Sequence, residues 1–444
     1  MRHRTWAWLA GLLIVVSVPV FAANNFILRP DPAVPVDVIA ARHGLTLVSP
    51  LDDQNRGIFI VSAPPTSTPD QVLAELGADL QVIDAEPDAS LAIAENPASL
   101  NQSTAAILDT LPAPSATSYF GAPVLGLYQS QAAMSLIRLQ QTQTTFRATG
   151  AGIVAIIDTG VDPNHPVLKN SLVPGYDFVN NLAGSGSELV DLTPTNLAVL
   201  TQSTASILDK TQQALLNQST AAILDQSTAA ILDRKNLPSA FGHGTMVAGI
   251  VHLVAPTAKI MPLKAFKGDG TAQLSDILRA LYYAADHGAR VINMSFSLLV
   301  GSTELKRAIG YANNASVIMV ASAGNTGLPY VSNPAAMQKV IGVASTSNTD
   351  TRSTFSSYGT GVWVAAPGEA IITTYPGQNY AAVWGTSFSA PIVAGVGALT
   401  VQVNPTAEFS NASKATAQAK KLTPDLGNGR LDAYRAVQFA LAHN

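Results

Sequence analysis

The sequence predicts an α/β chain built on a mostly parallel sheet with helices on both faces, preceded by a small α+β sandwich. Three observations carry this expectation. The runs Gly152 to Ile157, Ile260 to Ala265, Val291 to Ser295, Val317 to Ala321 and Val340 to Ala344 are short and almost continuously apolar. Strands covered on both faces have that character. Ala272 to His287, Ser302 to Asn313 and Ser389 to Val403 have helical length and alternate with or follow those runs. The N-terminal part instead reads strand, helix, strand, strand, helix, strand, which is the order of a ferredoxin-like sandwich.

Within that first unit, Asn24 to Arg29 is the first strand and Val36 to Arg42 a short helix closed by Gly44. Leu45 to Val48 and Gly57 to Ser62 are strands. Thr68 to Leu76 is a helix with Thr68 as N-cap, Pro69 in its first position and Gly77 after its end. Gln81 to Ile83 and Leu91 to Ala94 complete the strand candidates. The 444 residues suit two domains plus extras, and 47% hydrophobic against 12% charged residues is enough to bury a large core without staples. A net charge of −4 gives no reason to expect nucleic acid or an anionic membrane as partner. Without a single cysteine, disulfides, thiol nucleophiles and thiolate metal sites are excluded.

The first 22 residues read as a secretory signal. Arg2, His3 and Arg4 are basic, Trp6 to Val18 is apolar, and Val20-Phe21-Ala22 supplies small residues for cleavage before Ala23. Extracellular release is therefore expected; a periplasmic location, or retention by an uncleaved anchor, is the alternative. Residues 24–96 form the sandwich, and the Pro-, Ser- and Ala-rich stretch 97–126 reads as a linker. An insertion at about 181–238 holds an octad repeat: QSTASILD at Gln202–Asp209, then QSTAAILD at Gln218–Asp225 and again at Gln226–Asp233. Lys210–Asn217 fits as a degraded copy, and Gln102–Asp109 repeats the motif in the linker. Eight residues advance a helix by about 800°, so the Ile-Leu pair drifts by about 80° per repeat. Short capped turns fit better than one amphipathic helix, and a slippage-expanded surface insertion is the reading preferred.

Four motifs carry chemistry. Ile153 to Asp158 is an apolar strand ending in an Asp and a tight Thr159-Gly160 turn, where open α/β sheets face their ligand crevice. Gly242-His243-Gly244-Thr245 places an uncrowded imidazole at the start of an apolar helix, a suitable base for a hydroxyl nucleophile. Gly385-Thr386-Ser387 sits just before a long helix, whose first N–H groups favour a developing oxyanion. Gly324-Asn325 follows a buried strand and can aim an amide N–H at the same charge. Each alone is ordinary: an Asp turn, an N-cap serine and an Asn turn are common.

Taken in order, Asp158-Thr-Gly, His243-Gly-Thr, Ala323-Gly-Asn325 and Gly385-Thr-Ser387 resemble the subtilisin family of serine peptidases, the S8-type subtilases. The resemblance runs from about Leu127 to Val437 and includes Ile292-Asn-Met-Ser295, Phe355-Ser-Ser357, Ala366-Pro-Gly368 and Gly427 to Asp432. It implies a subtilisin-like three-layer fold over about 127–440 and a secreted serine endopeptidase acting through an acyl-enzyme on Ser387. His243 is then the base and Asp158 its orienting partner, with Asn325 in the oxyanion hole. Ser295, Phe296 and Ser297, with Ala323 and Gly324, are the implied substrate-binding residues, and neutral Thr326 implies an uncharged first-pocket preference. The N-terminal sandwich resembles the family's propeptide, an intramolecular inhibitor and folding aid, with Glu86-Pro-Asp88 as its closing segment and self-cleavage in the linker. A monomer acting on polypeptides is expected. A catalytically inactive subtilisin-like binding protein is the alternative.

This sequence also departs from the family pattern. Met246 replaces a frequent second His, and Phe388, Ser389 and Ile392 replace Met, Ala and His after the nucleophile motif. Ser297 stands where a Gly is usual. Val167 occupies the position of a common calcium-binding Asp, so that site is expected to be absent, with no metal or cofactor implied. Asp158 and His243 lie 85 positions apart, and the octad insertion accounts for most of that length.

Overall fold

The computed structural model describes residues 24–93, 116–184, 186–194, 238, 240–298 and 301–444. The expected signal, all octads and most of the expected linker lie outside the described residues.

The N-terminal unit runs β1 Asn25–Pro30, α1 Val36–Arg42, β2 Thr46–Pro50, β3 Phe59–Ser62, α2 Pro69–Ala78 and β4 Val82–Pro87. Its antiparallel sheet has the order β2-β3-β1-β4, as the ferredoxin-like order requires. Thr68 caps α2 in a capping box with Gln71, which satisfies two otherwise unpaired N–H groups. Side chains alternate between the two faces of β1. Phe26 and Leu28 meet Ile39, Val72 and Leu76 of the two helices. Ile27 turns the other way and, with Ile58 and Ile60, joins an apolar cluster of the larger unit.

The larger unit opens with the hairpin β6 Ala116–Tyr119 and β7 Ala122–Leu125. The linker expected over 97–126 is therefore folded at its end. Phe120 and Gly121 both take positive φ, as the tight turn of such a hairpin requires. Tyr119 is buried and donates its hydroxyl to the Leu253 carbonyl at 2.6 Å. Three short helices follow, α3 Gly126–Gln129, α4 Ala132–Leu136 and α5 Leu139–Phe146.

The main sheet contains β8 Ile153–Asp158, β9 Tyr176–Asp177, β10 Leu182–Ala183, β11 Lys259–Lys264, β13 Ala289–Met294, β14 Ile318–Ser322, β15 Val340–Thr346 and β16 Val364–Pro367. Their order is β10-β9-β11-β8-β13-β14-β15-β16, parallel throughout except for β10 at the edge. Helices α6 His243–Val254 and α9 Thr386–Val403 cover one face, where Val154, Ile156, Val291, Val320 and Val343 point. Helices α7 Leu274–Asp286 and α8 Thr303–Asn314 cover the other, against Ala155, Ile157, Ile292 and Met319. This is the expected three-layer α/β fold, and covering both faces explains why the strands read as unbroken apolar runs. Helix α9 is long and apolar enough to span a membrane, yet 89% of that window is buried inside the protein, so it is the central core helix. Helices α10 Phe409–Thr416 and α11 Ala433–Ala442 close the chain.

The first unit docks through its sheet on α7 and α8. Arg29 forms a two-pronged bond to Glu304, with both contacts at 2.7 Å. The Glu86 carboxylate accepts from Ser302 Oγ at 2.7 Å and from Thr303 N at 3.0 Å, at the start of α8. Asp88 accepts from Ser275 N at 2.9 Å and Ser275 Oγ at 2.8 Å, at the start of α7. Two acids of one unit thus cap two helices of the other, where the dipoles favour negative charge. Burial nevertheless pushes both carboxyls above their ordinary range.

Candidate active site

The parallel sheet places the ends of β8, β13 and β14 along one edge, the usual crevice of such folds. Asp158 is the last residue of β8 and is buried. His243 is the first residue of α6, also buried, and its Nδ1 lies 2.7 Å from Asp158 Oδ1. The same Oδ1 accepts from Thr159 N at 2.7 Å. Two glycines make close packing possible here. A Cβ on Gly244 would stand 2.0 Å from the Gly160 carbonyl oxygen, and one on Gly160 would stand 2.6 Å from Glu188 N. Gly244 therefore lets the His243 helix press onto the Asp158 turn backbone to backbone, and Gly160 lets the segment before Glu188 press onto the same turn.

Ser387 is the second residue of α9, which packs against α6. Pro391 lies one turn further on and has no N–H for the Ser387 carbonyl. Ser295, just past β13, fills that gap by donating its hydroxyl to the Ser387 carbonyl at 2.8 Å. Asn293 in turn donates to Ser295 Oγ at 2.8 Å. The Ser387 hydroxyl lies 3.5 Å from the Ser295 carbonyl. Phe388, next to Ser387, lays its ring against the imidazole, with centroids 5.4 Å apart. Ser387 and His243 thus stand at adjoining helix starts. Asn325, just past β14, accepts through Oδ1 from Thr386 N and Thr386 Oγ1, both at 2.9 Å. That anchoring leaves Nδ2 as the donor end of the amide, beside the residue that precedes Ser387.

The residues expected to bind substrate divide into two groups. Ser295, Phe296 and Ala323 are buried, and Phe296 packs its ring on Phe266 at 5.2 Å, so their side chains belong to the interior. Ser297 is half-buried. A Cβ on Gly324 would lie 3.1 Å from the Ser332 and Ser357 hydroxyls and 3.6 Å from that of Ser297. Gly324 is therefore ringed by three hydroxyl groups. Val167, at the position of the common calcium ligand, is buried in the apolar core.

Sequence reasoning missed two features here. The strand expected at Leu91 to Ala94 is present as β5, Ser90–Ala92, but its pairing was not foreseen: it leaves the small unit and pairs antiparallel with β12, Thr271–Gln273, and Ile93 N then donates to Gly270 O at 2.9 Å. The Asp269-Gly270 pair was a turn signal that could have drawn attention to this edge. The second is Glu188. It lies in the stretch 181–238 expected to be a surface insertion, yet it is completely buried and bonded to both sides of the Asp158–His243 contact. Burial pushes its carboxyl up to about 8. The described part of that stretch also supplies β10 to the main sheet, so it is built into the fold.

The family model of the Subtilase family, peptidase S8, matches residues 150–432. The chain belongs to the subtilase family. It is 34% identical over 315 residues to thermitase from Thermoactinomyces vulgaris, covering 68% of this chain and 94% of thermitase. It is 35% identical over 209 residues to subtilisin BL from Lederbergia lenta, covering 44% of this chain and 78% of that protein. Fervidolysin from Fervidobacterium pennivorans, a keratinolytic enzyme related to subtilisin, superimposes with a TM-score of 0.68. At 23% identity, with 94% of this chain and 61% of fervidolysin covered, that likeness speaks for the fold. This subtilase is a serine endopeptidase, and its substrates are polypeptides.

Proposed function

We propose that the subtilase cuts peptide bonds with Ser387 as nucleophile, His243 as general base and acid, and Asp158 as the group that orients His243. The observation that carries this is the buried 2.7 Å contact between Asp158 Oδ1 and His243 Nδ1 beside the helix start that holds Ser387. Ser387 Oγ attacks the scissile carbonyl while His243 takes its proton, which later passes to the leaving amine. Asp158 fixes the imidazole tautomer and stabilises the imidazolium. The negative oxygen of the tetrahedral intermediate is held by Asn325 Nδ2 and the backbone N–H groups at the start of α9. No step calls on a metal or cofactor. The test is a fluorophosphonate probe on processed enzyme: a single adduct is expected, on Ser387 by peptide mapping. Folded, processed protein that stays unlabelled would favour the inactive binding protein instead.

The reading extends to biosynthesis. The chain is made for export, residues 1–22 being removed as a signal, and works outside the cell as a monomer. Residues 24–96 act as its inhibitor and folding aid, and the chain cuts itself in the stretch that follows. Pairing of β5 with β12 supports this, because an extended segment then pairs with a strand whose neighbour Gly270 packs on Ala240, three residues before His243, as a substrate strand would. The caps by Glu86 and Asp88 support tight docking. Each cap contributes about 1 kcal/mol. Glu86→Ala with Asp88→Ala is therefore expected to raise the inhibition constant of the cut unit roughly 30-fold. This is read as activity appearing on dilution of the cleaved complex; an unchanged dilution curve would remove these acids from the inhibitory contact.

A further inference from the structure

We propose that Glu188 is a positioning residue for the Asp158–His243 pair: its carboxyl bridges the turn after Asp158 to the first turn of α6 and holds the two at bonding distance. The inference rests on the reading of Ser387, His243 and Asp158 as the reacting groups.

Glu188 lies in a single 3-10 turn, Glu188–Asp191, whose start is capped by Ser187. Its side chain is 0% exposed and meets both partners' elements. Oε2 accepts from Gly242 N at 2.9 Å, on the residue before His243, and from Thr159 Oγ1 at 3.1 Å, on the residue after Asp158. Oε1 is bonded to the Thr245 hydroxyl, two residues after His243. Both hydroxyls pass the connection on across the gap. Thr159 Oγ1 accepts from Gly244 N at 3.0 Å, and Thr245 Oγ1 accepts from Asp162 N at 2.7 Å. Each element is thus held to the other through one carboxyl, within two residues of each reacting group.

The Thr159 and Thr245 hydroxyls each bond across the contact as well, and the Glu188 carboxyl holds both of them at once. Gly244 allows the two backbones to touch, and Gly160 leaves room for the turn that carries Glu188. The turn that carries Glu188 is itself anchored, since Asp191 takes Lys264 Nζ at 2.5 Å and Lys264 also donates to the Thr159 carbonyl at 3.0 Å. Burial raises the Glu188 carboxyl to about 8, with the Asp158 charge adding to the rise and Lys264 opposing it. At pH 7 the group is therefore mostly neutral. Oε2 accepts from Gly242 N and Thr159 Oγ1, and Oε1 accepts from the Thr245 hydroxyl. Glutamine has the same length and can keep its oxygen on the Gly242 and Thr159 donors, with its amide N–H₂ turned to the Thr245 hydroxyl oxygen.

The experiment follows the rate of fluorophosphonate acylation, and kcat and KM on a short chromogenic peptide, at pH 7, with thermal melting as the check on folding. Glu188→Ala is expected to slow acylation and lower kcat by about tenfold or more with KM within about twofold, because small displacements of reacting groups are costly. Glu188→Gln is expected to restore kcat to within about threefold of wild type. Glu188→Asp keeps an acid but is one carbon too short to span both sides; it is expected to behave like alanine, and it carries the test should the alanine variant not fold. Full kcat in folded Glu188→Ala or Glu188→Asp overturns the positioning role, as does Glu188→Gln falling as far as alanine while melting like wild type. A folded wild type that takes no label at Ser387 overturns the reading of the site itself, and the positioning role with it.

Discussion

Ser387→Ala is expected to lower turnover by about a millionfold, the scale of loss when a subtilisin is deprived of its nucleophile, and to leave the chain long. The loss is chemical. The contacts that place this residue are made by its backbone: the Ser387 carbonyl takes the Ser295 hydroxyl at 2.8 Å, and the helix start is set by Gly385 and Thr386. Alanine leaves all of these in place, so melting should be unchanged while acylation stops. Intact mass then separates two claims. Wild type should lose the N-terminal unit and the variant should keep it. If both mature alike without added protease, self-cleavage is wrong, whereas a variant that still turns over peptide at the wild-type rate removes Ser387 as nucleophile.

Asp158→Asn is expected to lower kcat by about 10⁴ with KM little altered. Asp158 Oδ1 accepts from both His243 Nδ1 and Thr159 N, while Oδ2 is buried with no hydrogen-bond partner among the described residues. An asparagine has no good orientation there. With its oxygen toward His243, the amide N–H₂ is buried without an acceptor, at a cost of about 1–3 kcal/mol. With its nitrogen toward His243, it faces the Thr159 N–H and demands the wrong imidazole tautomer. Either way the imidazolium loses the charge that stabilises it. A wild-type kcat in this variant, on a folded protein, would show that His243 works without Asp158.

Much of the fold and of the site is legible in the sequence. The runs ending at Ile157, Ala321 and Ala344 predict β8, β14 and β15 because strands buried on both faces must be apolar at every position. Asp158, His243, Asn325 and Ser387 stand out because each sits in a short glycine-bearing turn whose backbone need is local. The hairpin of residues 116–125 is hidden by its composition, and by a Phe120-Gly121 turn where asparagine or aspartate is the usual first residue. Strand β16 is too short to register. Glu188 has no signal: one acid in Ser-Glu-Leu-Val-Asp looks like any surface turn until a fold closes over it.

The amino-acid order alone determined the five central strands β8, β11, β13, β14 and β15 and the glycine-bearing segments that hold Asp158, His243, Asn325 and Ser387, since backbone sterics and hydrophobic periodicity act over a few neighbours. Only the tertiary structure decided which groups meet. Ser295 completes the helix turn that Pro391 leaves open, Asp88 caps a helix 187 positions away, and Glu188 bonds Thr245 across 57. A hydroxyl or carboxyl finds its partner by where packing leaves an unpaired group out of reach of water, and spacing along the chain carries no record of that.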